Sequence, residues 1–174
     1  HEAGSCDPHV WMGPRNVMLW TLLVRDTLRH LDPANADTYA ANAAVYLEEL
    51  DAFVHDEMVP TIEALPVERR VLVTDHETLG YFANAYGFRV VGLVVPSAST
   101  MAEPSAAEVA ALIDTIRRER VPAIFVAATV NPALAQQIAG ETGAAVKTLY
   151  THSVTEPDGP APTTIASNFS MQPF

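Results

Sequence analysis

The chain has 174 residues, 49% of them hydrophobic and 18% charged, which is the composition of a folded globular protein. Its formal charge of −11 excludes nucleic acid as a partner, because nucleic-acid binding needs clustered lysines and arginines. The single cysteine excludes an internal disulfide, and no apolar stretch approaches the roughly 20 residues of a membrane-spanning helix.

The first part of the chain is predicted to be helical. Apolar residues at steps of three and four predict an amphipathic helix over residues 14–31. Asp32–Pro33 indicates a second helix start, with Asp as the N-cap and Pro at the first helical position. The pattern continues this helix to about Leu65, but Pro60 lacks a backbone donor and is expected to kink or break it near Met58.

From Pro66 onward, strands alternate with helices. The patterns predict strands at 70–74, 88–95, 124–126 and 145–150, and helices at 77–86, 105–119 and 131–141. Ser105 and Glu108 form a capping box, and Gly87 closes the first of these helices. Such alternation predicts an α/β fold with a four-stranded parallel sheet flanked by helices. Residues 153–174 are expected to form a loop.

Three histidines stand at positions suited to metal ligands. His9 lies in the segment Asp7–Trp11, while His76 and His152 follow the first and fourth predicted strands. The carboxyl ends of parallel strands form the rim of a ligand crevice, so rings from distant parts of the chain suggest a cation site assembled by the fold.

Each histidine also has a simpler interpretation. A histidine at a strand end is often a solvent-facing or capping residue, and His30 and His55 are interpreted as surface residues of helices. A metal-binding imidazole uses one nitrogen for the metal while an acceptor holds the other N–H. Asp75 and Glu77 are the nearby acceptors for His76.

Two segments, Asp7–Trp11 and His76–Phe82, carry a family resemblance. In this order, with a long helix between them, they resemble the zinc- and manganese-binding solute-binding proteins of bacterial ABC importers (periplasmic solute-binding protein family 9). Further similar segments are Glu103–Ser105, Ile124–Val126, Leu149–Thr151 and Glu156–Ala161. The likeness extends from about residue 7 to residue 163.

The resemblance implies a clamshell of two α/β lobes joined by a rigid helix, with the metal held between the lobes. Residues 1–31 would be the remnant of the amino-terminal lobe, including its last helix. Residues 32–65 would be the backbone linker helix, and residues 66–174 the carboxyl-terminal metal-binding lobe.

The resemblance also implies a set of site residues. The metal ligands would be His9, His76 and His152, and the candidates for holding those ligands in place are Asp75, Glu77 and Glu103. The family usually has Asp where this chain has His152. The family's first ligand, a histidine nearer the amino terminus, has no counterpart, so the chain is interpreted as a piece of a longer receptor. Apolar faces on residues 14–31 would then need cover, which a homodimer could supply.

The expected function is capture of a divalent transition metal and its delivery to the permease of an ABC importer. The protein is expected in the periplasm or at the extracytoplasmic membrane surface, with a lipid anchor as one option, and is not expected to be an enzyme. Imidazole ligands favour Zn²⁺ over Mn²⁺, and His152 in place of Asp strengthens that preference.

Two alternatives remain open from the sequence. Three histidines and a metal-bound water are also the arrangement of a zinc hydrolase or hydratase, in which Glu77 or Glu103 could act as the base. The other alternative is a clamshell receptor for a metal chelate, with the histidines incidental to binding.

Overall fold

A computed structural model describes residues 6–95 and 104–151 of the chain. The chain divides into two compact units, His1–Ala64 and Leu65–Phe174. Within the described ranges, every helix is too short or too polar to cross a lipid bilayer. The finer division at residues 31 and 65 stays a prediction.

The first unit is helical, as predicted. A 3-10 turn at Val10–Met12 leads into helix α1, Pro14–Leu31, whose first residue is the proline favoured at this position. A second 3-10 turn, Pro33–Asn35, precedes helix α2, Ala36–Ala52. Asp32 is the N-cap of this turn and Pro33 its first residue, as predicted, while the Asp32 carboxylate accepts hydrogen bonds from the Asn35 and Tyr39 side chains, both at 2.8 Å.

Pro60 does not end the helical path near Met58, contrary to the prediction. Helix α2 continues into a π-helical segment, Phe53–Met58, and then into the short helix α3, Val59–Glu63. A π-turn shifts each amide to a more distant carbonyl, which accommodates a residue that has no N–H and whose ring crowds the preceding turn. Val54, Met58 and Ile62 are buried along this stretch.

The predicted apolar stripe of α1 is present but uncovered. None of the residues of α1 is buried, and Trp20, Val24 and Leu31 of the stripe are 44%, 56% and 72% exposed. Between α1 and α2 lies a groove of about 440 Å³ with mainly apolar walls. The stripe therefore predicts the helix correctly, and its coverage by a second copy stays a prediction.

The second unit contains the predicted four-stranded parallel sheet. Its strands are β1 Val71–Thr74, β2 Arg89–Leu93, β3 Ala123–Ala127 and β4 Ala145–Leu149, in the order β2-β1-β3-β4. All three strand pairs are parallel. The order places β1 between β2 and β3, so the chain switches from one side of β1 to the other at this strand.

The helices of this unit are α4 Gly80–Tyr86, α5 Ala106–Glu119 and α6 Ala133–Thr142. The predicted capping box of Ser105 and Glu108 is confirmed, and Gly87 ends α4 with a left-handed φ of 72°. The predicted helix start at residue 77 is wrong, because residues 75–79 form a turn instead. Leu112 and Ile116 of α5 are buried in the same core as Val73 and Ile124 of the sheet.

Candidate metal site

His76 lies in a turn at the carboxyl end of β1, directly after the buried Asp75. The His76 carbonyl oxygen accepts hydrogen bonds from the Thr74 hydroxyl at 2.7 Å and from the Thr78 amide at 2.9 Å. The Thr78 hydroxyl donates to the same oxygen at 3.3 Å. Both threonines are 1% exposed, so they hold the turn from inside the core. The turn thus stands at the strand where the sheet order reverses, the usual place for a ligand crevice.

The Asp75 carboxylate ties this turn to strand β3. Its Oδ2 accepts a hydrogen bond from the Ala127 amide at 2.9 Å, and its Oδ1 accepts one from the His76 amide at 2.9 Å. Burial acts to raise the pKa of Asp75, but the hydrogen bonds from His76 and Ala127 outweigh burial and hold that pKa below its ordinary value. The group is therefore an anion at neutral pH.

The same carboxylate contacts the His76 ring. Oδ1 of Asp75 lies 3.0 Å from Nδ1 of His76, whose side chain is 12% exposed. A carboxylate that accepts the Nδ1 proton leaves Nε2 as the nitrogen with a lone pair, which is the arrangement that supports many metal-binding histidines.

His9 has a similar carboxylate partner, in this case from the local sequence. Oδ1 of Asp7 lies 2.9 Å from both the amide nitrogen and Nδ1 of His9. The His9 ring also makes an edge-to-face contact with Trp11, with the ring centroids 5.5 Å apart. The turn after His9 is held by the Asn16 side chain, which donates to the Val10 carbonyl at 2.9 Å.

Sequence reasoning found Asp75 as a candidate holder of His76 but missed Asp7. The Asp7-Pro8-His9 spacing could have indicated this contact, since a carboxylate two residues before a histidine can contact both the amide and the ring of that histidine. Glu77 is half-buried beside His76 in the chain. The predicted ligand His152 and the candidate Glu103 lie outside the described residues.

The described part of the chain contains no cluster of three or more His, Cys, Asp and Glu side chains able to hold a metal. His9 and His76 belong to different compact units. His30 and His55 are exposed, as predicted, and His55 lies 3.3 Å from Asp51 on an open helix surface. Cys6 is an exposed free thiol.

The sequence matches one family model over residues 1–170, that of ZnuA, described as "Zinc-uptake complex component A periplasmic". Among similar curated proteins, the iron-binding protein YfeA of Yersinia pestis is 34% identical over 165 residues, which cover 94% of this chain and 52% of the relative. The manganese-binding lipoprotein MntA of Halalkalibacterium halodurans is 31% identical over 88% of this chain and 50% of its own length. The chain thus spans about half the length of these relatives.

Solved structures agree with the sequence matches. A Mn-bound periplasmic metal binding protein from Candidatus Liberibacter asiaticus superposes with a TM-score of 0.77 at 33% identity, over 93% of this chain and 59% of that one. A crystal structure of ZnuA gives a TM-score of 0.78 at 30% identity, over 88% of this chain and 57% of that one.

Proposed function

The chain belongs to the ZnuA family, and we propose that it is an extracytoplasmic receptor that captures a divalent transition metal and delivers it to an ABC importer. The proposed location is the periplasm or the outer face of the cytoplasmic membrane, where relatives named as lipoproteins give the precedent for an anchor. The proposed partner is the permease of that importer. The relatives described above are metal-binding proteins, which favours capture over catalysis.

The observation that carries the proposal is shared by two histidines. His9 and His76 each have Nδ1 within 3.0 Å of a carboxylate oxygen, at 2.9 Å from Asp7 and 3.0 Å from Asp75. A carboxylate partner of this kind sets the orientation of the histidine ring and makes the other ring nitrogen a better donor to a metal. Surface histidines do not need such support, and both rings are largely buried.

The proposed ligands are therefore His9 and His76 through Nε2, together with His152. His152 follows Thr151, shortly after the end of β4, and the carboxyl ends of β1 and β4 lie at the same edge of the parallel sheet. Glu77 and Glu103 remain candidates for contacts with these ligands.

Zn²⁺ is the proposed cargo, with Mn²⁺ bound more weakly. The relatives' names include iron, manganese and zinc, so the choice of metal rests on the donor atoms of this chain. Imidazole nitrogen suits Zn²⁺, whereas Mn²⁺ prefers carboxylate oxygen. His152 in place of the family's usual Asp would remove an oxygen donor and a negative charge.

Calorimetric titration of the full chain with Zn²⁺ tests this proposal. His76→Ala and His152→Ala should each lower the affinity at least tenfold, about 1.4 kcal/mol. His30→Ala and His55→Ala are matched controls on exposed helix positions and should bind as the unsubstituted chain does. Equal affinities for all five proteins would overturn the site.

A second measurement separates the receptor from the zinc hydrolase. The Zn²⁺-loaded chain should bind the metal stoichiometrically and show no turnover of a simple ester or of CO₂ hydration. Metal-dependent turnover that His76→Ala abolishes would contradict the receptor proposal and favour the enzyme.

A further inference from the structure

Asp75 is joined to two neighbouring stretches of the sheet by three hydrogen bonds. Its amide donates to the Phe125 carbonyl at 2.9 Å, and its carbonyl accepts from the Val95 amide at 2.8 Å. Its Oδ2 accepts from the Ala127 amide at 2.9 Å. Main chain and side chain together therefore fix this residue between the ends of β3 and the segment that follows β2, and it is only 4% exposed.

This fixed carboxylate presents a single remaining acceptor to the next residue. Oδ1 lies 2.9 Å from the His76 amide nitrogen and 3.0 Å from the His76 ring nitrogen Nδ1. An ionised carboxylate attracts a ring N–H and repels a ring lone pair, so this 3.0 Å contact favours the neutral His76 tautomer with its proton on Nδ1. The ring then has its lone pair on Nε2.

We propose that Asp75 is a positioning residue that selects the Nδ1–H tautomer of His76 and so prepares Nε2 to bind the cation. This inference rests on the proposed role of His76 as a metal ligand and deepens it. The strand ends hold the carboxylate and the carboxylate holds the ring, so the ring does not have to reorient or change tautomer when the metal arrives. The expected effect of such a partner is 10- to 100-fold in metal affinity.

A purely structural role for Asp75 is the competing explanation. In that case its function would be to satisfy the buried Ala127 amide, and any acceptor of the same shape would do. Asp75→Asn separates the two roles because an amide keeps the size and one acceptor oxygen. It loses the charge and turns one position into a donor, which favours the Nε2–H tautomer of His76 or weakens the hold on Nδ1–H.

The test combines nitrogen NMR of the metal-free full chain, labelled with ¹⁵N-histidine, with Zn²⁺ titration. His76 of the unsubstituted protein should show the Nδ1–H tautomer. Asp75→Asn should shift His76 toward Nε2–H and lower the Zn²⁺ affinity at least tenfold. The matched control is Asp51→Asn, which alters the exposed carboxylate 3.3 Å from Nδ1 of His55 and should leave the affinity unchanged.

Two results would overturn the inference. The first is an Nε2–H tautomer of His76 in the unsubstituted metal-free chain, a measurement that needs no folded variant. The second is Zn²⁺ binding by Asp75→Asn that matches the unsubstituted protein while His76→Ala binds weakly. If His76→Ala itself binds as tightly as the unsubstituted chain, the ligand assignment fails first, and this inference falls with it.

Discussion

The two histidines described above have the same kind of carboxylate partner but very different support beneath it. Asp75 contacts His76 while bonded to Ala127, 52 residues away on another strand. Asp7 contacts both the amide and the ring of His9 from two residues away in the chain. The carboxylate beside His76 is therefore bonded to the folded sheet, whereas the carboxylate beside His9 comes from the same short segment as its ring. Substitutions around His76 should therefore cost more stability than those around His9, while both should weaken metal binding.

The largest expected difference concerns the apolar residues that support each turn. Leu79 is the last residue of the His76 turn and is 1% exposed, so Leu79→Ala should lower the free energy of unfolding by about 2–5 kcal/mol. Val10 follows His9 and is only partly buried, so Val10→Ala should cost less than about 1 kcal/mol. Denaturant unfolding of both variants measures the difference, and equal losses would show that the two turns have equal structural support.

The next largest effect concerns the contact between Asp7 and His9 and its contribution to metal binding. Asp7→Asn keeps an acceptor for the His9 amide but removes the anion beside Nδ1, so Zn²⁺ affinity should fall about 10- to 100-fold. The free energy of unfolding should change by about 1 kcal/mol or less, because the new amide keeps the size of the carboxylate and an acceptor oxygen for the His9 amide.

The control for Asp7→Asn is Asp26→Asn, which removes an exposed carboxylate bonded to Arg25 in the same unit. Calorimetric titration and denaturant unfolding of both variants complete the comparison. A marked loss of stability in Asp7→Asn would mean that the His9 turn is tied to the fold as firmly as the His76 turn.

The smallest expected effect tests the hydroxyl beneath His76. Thr74→Val removes the 2.7 Å hydrogen bond to the His76 carbonyl, which keeps its bond from the Thr78 amide. The expected cost is about 1 kcal/mol of stability. Thr61→Val removes a 2.6 Å hydroxyl bond on an exposed helix turn and should cost under about 0.5 kcal/mol. A larger loss of stability in Thr61→Val than in Thr74→Val would contradict the greater structural support expected beneath His76.

Much of the fold could be predicted because its signals are local. The alternation of apolar runs with helical patterns predicted the parallel sheet, and the Ser105–Glu108 spacing predicted the start of α5. The start of α4 was misplaced by three residues because the competing turn depends on the Asp75 carboxylate and on threonine hydroxyls inside the core. Those contacts exist only once the strands are assembled.

Part of the candidate site could also be predicted, namely a histidine ligand and its nearby carboxylates. Family likeness and strand ends indicated His76, and proximity indicated two carboxylates for it, Asp75 and Glu77. The decisive partner of Asp75 is the backbone amide of Ala127, a group that every residue except proline carries, so no sequence signal distinguishes it. The bond from the Ala127 amide to one carboxylate oxygen of Asp75 leaves the other oxygen beside the His76 ring, and this arrangement exists only in the folded sheet.

The π-helical segment Phe53–Met58 has a consequence for the column of buried residues that passes through it. Val54, Met58 and Ile62 are spaced by four, and in an ordinary α-helix each such step drifts around the axis by about 40°. A wider turn rotates less per residue and offsets that drift, so the column stays on one side. Removing one residue from this segment would restore the ordinary pitch and leave Val54 and Ile62 seven positions apart, still within about 20° of each other around the axis. The segment therefore acts as a one-residue insertion that the helix absorbs without turning its buried side away.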